Sequence, residues 1–198
     1  MTDAEVRAQI VEAADRLFYG QGIGNVGMDA VRDAAGVSLK TIYRQFPSKE
    51  QLVLGVLDHR HDLWTRGVES AVARADTPRD RLLAVYDHLA AWFEEDDFRG
   101  CGFINAFGEL GATSPAVAEA VRAHKLSFEA YVDHLVADAG APPALGPQLA
   151  ILAEGAQTTA AILGSPDAAA VARGAAETLI DAAFAKPTGP DRASSRRR

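Results

Sequence analysis

Three times along this chain a hydroxyl residue stands directly before a proline: Thr77-Pro78, Ser114-Pro115 and Ser165-Pro166. In each pair the hydroxyl oxygen can cap a helix. The proline can then take the first helical position, where its missing N–H costs nothing. Gly146-Pro147 is a weaker version of the same start. These marks divide the second half of the chain into helices near 78–96, 115–139, 147–164 and 166–185, with a less sharply marked one between Gly102 and Gly111. The first half carries other punctuation. Thr2-Asp3-Ala4-Glu5 fits a capping box, and Val6, Ile10, Ala13, Ala14, Leu17 and Phe18 then recur at helical spacing until Gly20, Gly22 and Gly24 stop the run. A short helix over Met28 to Ala35 is broken by Gly36. Ser38 can cap a third helix to about Gln45, which must end near Phe46-Pro47 because a residue before proline is pushed out of the α region. Ser48-Lys49-Glu50-Gln51 is a second capping box and opens a long fourth helix through Leu57 and Trp64 to Val72. No β-alternation of useful length occurs. The expectation is an all-α chain of about nine helices.

With 198 residues there is room for one ordinary domain or a small one joined to a larger. The 48% apolar content is too high for a disordered chain. The formal net charge of −7 argues against a surface that is basic throughout, yet leaves room for a local basic patch. Cys101 is the single cysteine, so no intrachain disulfide can form and a reducing, cytoplasmic setting is expected. Met1 to Gln9 is interrupted by Asp3, Glu5 and Arg7, which is unlike a signal peptide, and no run approaches the ~20 apolar residues of a membrane span. The end, 186–198, is expected to be a disordered basic tail finishing in Arg196-Arg197-Arg198.

The order short helix, glycine turn, capped helix over Val26 to Leu52 is that of a helix-turn-helix, whose second helix fits the major groove of DNA. That helix is Ser38-Leu39-Lys40-Thr41-Ile42-Tyr43-Arg44-Gln45. Ile42 and Phe46 lie one turn apart and can face a core, leaving Lys40, Thr41, Arg44 and Gln45 outward. Lys and Arg suit the acceptors of guanine, Gln can pair with adenine, and the Thr methyl can meet that of thymine. Ser38 opens this face, and Tyr43 and Lys49 could bond phosphates. From Ser38 to Lys49 there are three basic residues and no acidic one, the reverse of the whole chain. A short exposed helix in any helical protein fits the same residues.

The run Asp29-Ala30-Val31-Arg32-Asp33-Ala34-Ala35-Gly36-Val37-Ser38-Leu39-Lys40-Thr41-Ile42-Tyr43-Arg44-Gln45-Phe46-Pro47-Ser48-Lys49-Glu50-Gln51-Leu52 resembles the N-terminal signature of the TetR family of transcriptional regulators. The resemblance implies a DNA-binding domain over 1–47 and a ligand-binding and dimerisation domain over 48–185. It also implies a homodimer that binds a palindromic DNA operator, acting as a repressor released by a small effector. Gly27 departs from it, standing where the family has Thr or Ser to cap the second helix and touch a phosphate; Asp29 is expected to take over part of that cap.

In the second half, aromatic residues gather with a few polar ones. Trp64, Tyr86, Phe103, Phe107, His124 and Phe128 are the candidate wall of an effector cavity, with Glu109 as its acid; His88 and Asn105 are further candidate anchors. Such a wall suits an apolar aromatic effector, neutral or cationic, though the same residues could be plain core. Glu109 with His124 could also serve an all-α enzyme, but no third catalytic group or nucleophile accompanies them. Cys101 lacks an adjacent Lys or His and reads as an inert small residue rather than a sensor. His59-Arg60-His61 sets two histidines on different sides of a helix, so no metal is expected, and nothing suggests a cofactor. Ala156, Ala160 and Gly164 form one small-residue stripe, and Ala168, Ala172 and Ala176 another. With Leu152, Leu163 and Leu179 they can form a four-helix dimer interface, or pack within one subunit.

Overall fold

A computed structural model describes residues 2–185. Among them are nine α-helices and no strand: α1 Asp3–Gln21, α2 Met28–Ala35, α3 Leu39–Gln45, α4 Lys49–Ala73, α5 Pro78–Phe93, α6 Gly102–Leu110, α7 Pro115–Asp138, α8 Leu145–Leu163 and α9 Asp167–Phe184. The tail expected over 186–198 lies outside the described residues. No helix among the described residues is long and apolar enough to cross a membrane.

Most starts follow the hydroxyl caps. The Thr2 box closes in both directions, and Ser38, Ser48, Thr77 and Ser114 each accept from the backbone N–H three residues on. Each such bond stabilises its helix by ~1 kcal/mol. Two starts differ from expectation. Pro166 is itself the N-cap of α9, and Ser165 instead accepts from the Asp167 N–H and donates to its carboxylate. At α8 the helix begins at Leu145, before Pro147, because two turn bonds from Leu145 and Gly146 to Pro142 and Pro143 already wind the chain. Gly20 does not stop α1; the break comes at Gly22, whose φ of 86° disfavours a side chain.

Two apolar clusters hold the helices. One packs the second half of α4 with α5, α7, α8 and α9. The other joins α1, α2, α3 and the first half of α4 to Phe103 and Ala106 of α6 and Val117 and Val121 of α7. The apolar core of the first three helices therefore runs on, without a seam, into α6. Gly55 makes this close: a Cβ there would lie 2.7 Å from Phe46, so the glycine lets the end of α3 seat on α4.

Candidate DNA interface and effector cavity

The helix-turn-helix forms as its punctuation predicts. Gly36 ends α2 in the left-handed region, and Ser38 receives the Thr41 N–H at 3.0 Å and pairs with the Thr41 hydroxyl at 2.9 Å. Ile42 and Phe46 are buried, which fixes the rotation of α3. Lys40, Tyr43 and Arg44 then stand exposed, with Thr41 and Gln45 half-buried beside them. Arg44 meets Asp3 at 3.3 Å in solvent, a contact too exposed to contribute much stability. From the other side α1 grips the motif. Arg7 donates to the Gln45 carbonyl at 3.0 Å and lies over the Phe46 ring, and Gln9 donates to the Ala35 carbonyl at 2.7 Å. Lys49, a candidate phosphate contact, donates from its ammonium to the Ile23 carbonyl at 2.5 Å, tying the α1–α2 turn to the start of α4. Asp29 does not cap α2 either, because it pairs with Arg32 one turn on.

Below this module lies a cavity of about 400 Å³. Trp64, Trp92 and Phe103 give it aromatic walls, and His88, His124 and Gln157 give it polar ones. Its floor is unexpected. Asp15 and Tyr19 of α1, the helix that grips the helix-turn-helix, line it together with Arg60 of α4. Arg60 makes a two-pronged ion pair with Asp15, its second prong at 3.2 Å, and stacks over the Tyr19 ring at 3.6 Å. The Tyr19 hydroxyl donates to the Gly100 carbonyl at 2.7 Å and accepts from the Arg99 N–H at 2.8 Å, anchoring α1 to the loop before α6. Glu95 and Asp97 add carboxylates to the lining from that loop. Gln157 is only 2% exposed; among the described residues its one hydrogen bond is a long 3.4 Å donation to Ala153 of its own helix.

His124 stacks flat on Phe103, with ring centroids 3.5 Å apart, and its Nδ1 lies 3.0 Å from that of His61. Burial first, then the Lys125 ammonium and His61, push its imidazole down to about 3. It is neutral in the fold at neutral pH. The unfolded chain binds a proton near 6.5, so the stability this burial contributes is complete above that pH and is lost as pH falls from 6.5 toward 3. The expected slope reaches about 1.4 kcal/mol per pH unit. Melting curves between pH 7 and pH 5 should therefore fall steeply, and His124→Gln should flatten them. A residual slope belongs to His88, which burial and then Arg74 also push down. An unchanged slope in the variant would mean that His124 is not the titrating group.

Two family models match the chain. One, described as bacterial regulatory proteins, tetR family, matches residues 10–56; the other, tetracyclin repressor-like C-terminal domain, matches residues 78–176. The chain belongs to the TetR family. It is 33% identical to the transcriptional activator FasR of Mycolicibacterium smegmatis over 69% of this chain and 61% of FasR. It is 38% identical to the transcriptional regulator TtgR of Pseudomonas putida over 43% of each. It thus spans less than two thirds of the length of either curated relative. A crystal structure of a TetR-family transcriptional regulator from Streptomyces coelicolor is 30% identical, with a TM-score of 0.81 over 91% of this chain and 96% of that one.

In this TetR-family regulator the cavity takes up only part of the wall expected from sequence. Trp64, Phe103 and His124 line it, while Phe128 lines an adjoining hollow of about 300 Å³ with Trp64 and His124. Tyr86 does not reach it; it is core, its hydroxyl donating to the Leu149 carbonyl at 2.8 Å. Phe107 faces outward at 52% exposure. Glu109 lies at the far end of α6, where its two oxygens accept the Ile23 and Gly24 N–H groups at 2.9 and 2.7 Å. That also removes any pairing of Glu109 with His124 for catalysis. Asn105 donates to the Arg99 carbonyl rather than to the cavity. The missed lining residues include Asp15, Tyr19, Arg60, Glu95, Asp97 and Gln157. Only Gln157 had a signal, as an isolated polar residue on the small, apolar face of α8. Cys101 has no adjacent Lys or His in sequence, but folding sets the Lys125 ammonium 3.3 Å from its sulfur, from a position 24 residues away. That ammonium is shared with Glu154.

The small-residue stripes also resolve differently. Ala156, Ala160 and Ala172 are buried where α8 and α9 pack against each other and against α5 and α7. Leu152 and Leu179 are half-buried on that core, and Leu163 is exposed. The surface of the pair instead carries Ile151, Ile162, Leu163 and Val171, interspersed with Gly155, Thr159 and Gly174.

Proposed function

We propose that the chain is a ligand-responsive repressor that binds a palindromic operator as a homodimer and is released by a small aromatic effector. Residues 1–47 read the DNA and 48–185 bind the effector and the second subunit; the setting is cytoplasmic. The observation that carries this is the outward row Lys40, Tyr43 and Arg44 on a helix whose inner face is locked by Ile42 and Phe46. Ser38, Thr41 and Gln45 complete the reading face. The exposed apolar surface of α8 and α9 suits self-pairing, which would set two such helices in successive major grooves, about 34–36 Å apart. Gly27 supplies no hydroxyl for α2 or for a phosphate, so α3 and the backbone N–H groups bear more of the grip. The effector enters the cavity between Trp64, Trp92 and Phe103. Carboxylates in its lining disfavour anions, and its histidines are neutral. The name of FasR favours a second reading, activation of transcription, through the same DNA and effector sites. Selection of duplexes from a random pool tests the proposal: an inverted repeat should be enriched. A pool that stays random after selection overturns it.

A further inference from the structure

The floor of the cavity is built on α1, the helix that also grips the helix-turn-helix. α1 holds the reader at one end and the cavity at the other. Arg7 and Gln9 bond the last residues of α3 and α2, while Asp15 and Tyr19 reach the cavity about 12 Å further along the helix. Among the described residues Asp15 is bound there by Arg60 alone of the charged groups, and the pair is largely buried, with side chains 14% and 18% exposed. A buried carboxylate that loses its cation is strongly destabilised and must move toward water.

Resting on the reading of the cavity as the effector site, we propose that the Asp15–Arg60 ion pair is the element the effector acts on. The effector is a neutral planar aromatic molecule bearing a carbonyl acceptor, which takes the Arg60 guanidinium from Asp15. The chemistry of the lining narrows the choice. Asp15, Glu95 and Asp97 outnumber Arg60 and repel an anion, while a molecule that is to engage the Arg60 guanidinium, a donor only, must offer an acceptor, which a neutral carbonyl does. The ring system lies among Trp64, Trp92 and Phe103. Gln157, buried with its amide barely engaged, offers a second polar contact to the same molecule. Once Arg60 turns to the ligand, Asp15 has no partner, α1 shifts to hydrate it, and Arg7 and Gln9 carry that shift to α3 and α2.

The chain has two tryptophans, and both line this cavity, so intrinsic fluorescence reports its occupancy. Fluorenone and fluorene are matched probes: both are flat tricycles, and only fluorenone carries the carbonyl. Both should quench Trp64 and Trp92. Only fluorenone should speed hydrogen exchange in α1 and weaken binding to a duplex selected by the protein, by roughly 5–150-fold. Asp15→Asn and Arg60→Gln should each loosen α1 and weaken that duplex without any probe. In Arg60→Gln, fluorenone should act no differently from fluorene. The double variant should be no weaker than the worse single one, since both remove the same pair. Melting curves and circular dichroism check that each variant is folded, and α1 exchange in the wild type gives a readout that needs no variant. Equal release by fluorene and fluorenone, with quenching by both, overturns the ion-pair proposal and leaves the effector cavity standing. Asp15→Asn with wild-type exchange and duplex affinity overturns it as well. Quenching by neither probe counts against the ligand class and the cavity, while the Asp15→Asn arm still decides the role of the pair.

Discussion

Ile162→Glu is expected to turn a dimer into a folded monomer of 21.0 kDa and to abolish tight operator binding. Ile162 is 76% exposed on α8, so within one subunit the glutamate stays in water and the melting temperature of the isolated fold should hardly move. Across a subunit interface the same carboxylate would be buried with no partner, at a cost of several kcal/mol. That raises the dimer dissociation constant by more than about 100-fold. The choice of residue depends on the packing. Ala160 lies inside the subunit at 2% exposure, so Ala160→Glu would disrupt folding and could not separate assembly from stability. Gly155 and Gly174 strengthen the choice of face: a Cβ at either would meet nothing within 4 Å, so neither is needed for packing within the subunit. Sedimentation decides the matter. If Ile162→Glu stays dimeric and binds operator normally, the outer face of α8 is not the interface.

Lys40→Ala and Arg44→Ala form the second prediction. Each should weaken the selected duplex by ~1–3 kcal/mol where its side chain reads a base, and relax preference at one position of each half-site. In a symmetric dimer each change is made twice. Neither should alter stability, since Lys40 is exposed and the Arg44–Asp3 pair is exposed on both sides. Lys49→Ala is expected to behave differently. Its ammonium bonds the Ile23 carbonyl and faces the Phe18 ring at 5.8 Å, so its loss should lower the melting temperature first and DNA affinity as a consequence. Binding titrations at several salt concentrations separate these cases. Unchanged affinity in both Lys40→Ala and Arg44→Ala would remove α3 as the reader.

Local chemistry is legible from sequence alone because it acts within about four residues. A serine or threonine oxygen reaches the N–H three positions on, a glycine accepts a left-handed φ, and a residue before proline leaves the helix. The boundaries of α2 and α3, the burial of Ile42 and Phe46, and the outward placing of Lys40 and Arg44 all follow from such rules and from the helical period, whereas Thr41 and Gln45, expected outward with them, are half-buried. So did the resemblance to the TetR family, which rests on a contiguous run of residues. Where a local rule competes with its neighbours it yields: Pro147 and Pro166 mark starts only to within two residues because turns at Pro142 and Pro166 wind the chain independently.

The cavity obeys no such rule. Which side of each helix faces inward depends on how the bundle is rotated, and that is set by contacts far apart in sequence. Glu109 and Phe103 share one short helix, yet its length sends Phe103 to the cavity and Glu109 to a turn more than 80 residues earlier. Arg60, flanked by two histidines, gained its role only when α1 brought Asp15 beside it, 45 positions away. The alanine stripes show the same limit. Small residues state that two helices can approach closely, but not whether the second helix belongs to the same subunit. Sequence determined the helix-turn-helix and the family, because both are written in neighbouring residues. Tertiary structure alone decided that the cavity takes its floor from α1, the helix that grips the helix-turn-helix, because that wall exists only once distant helices pack.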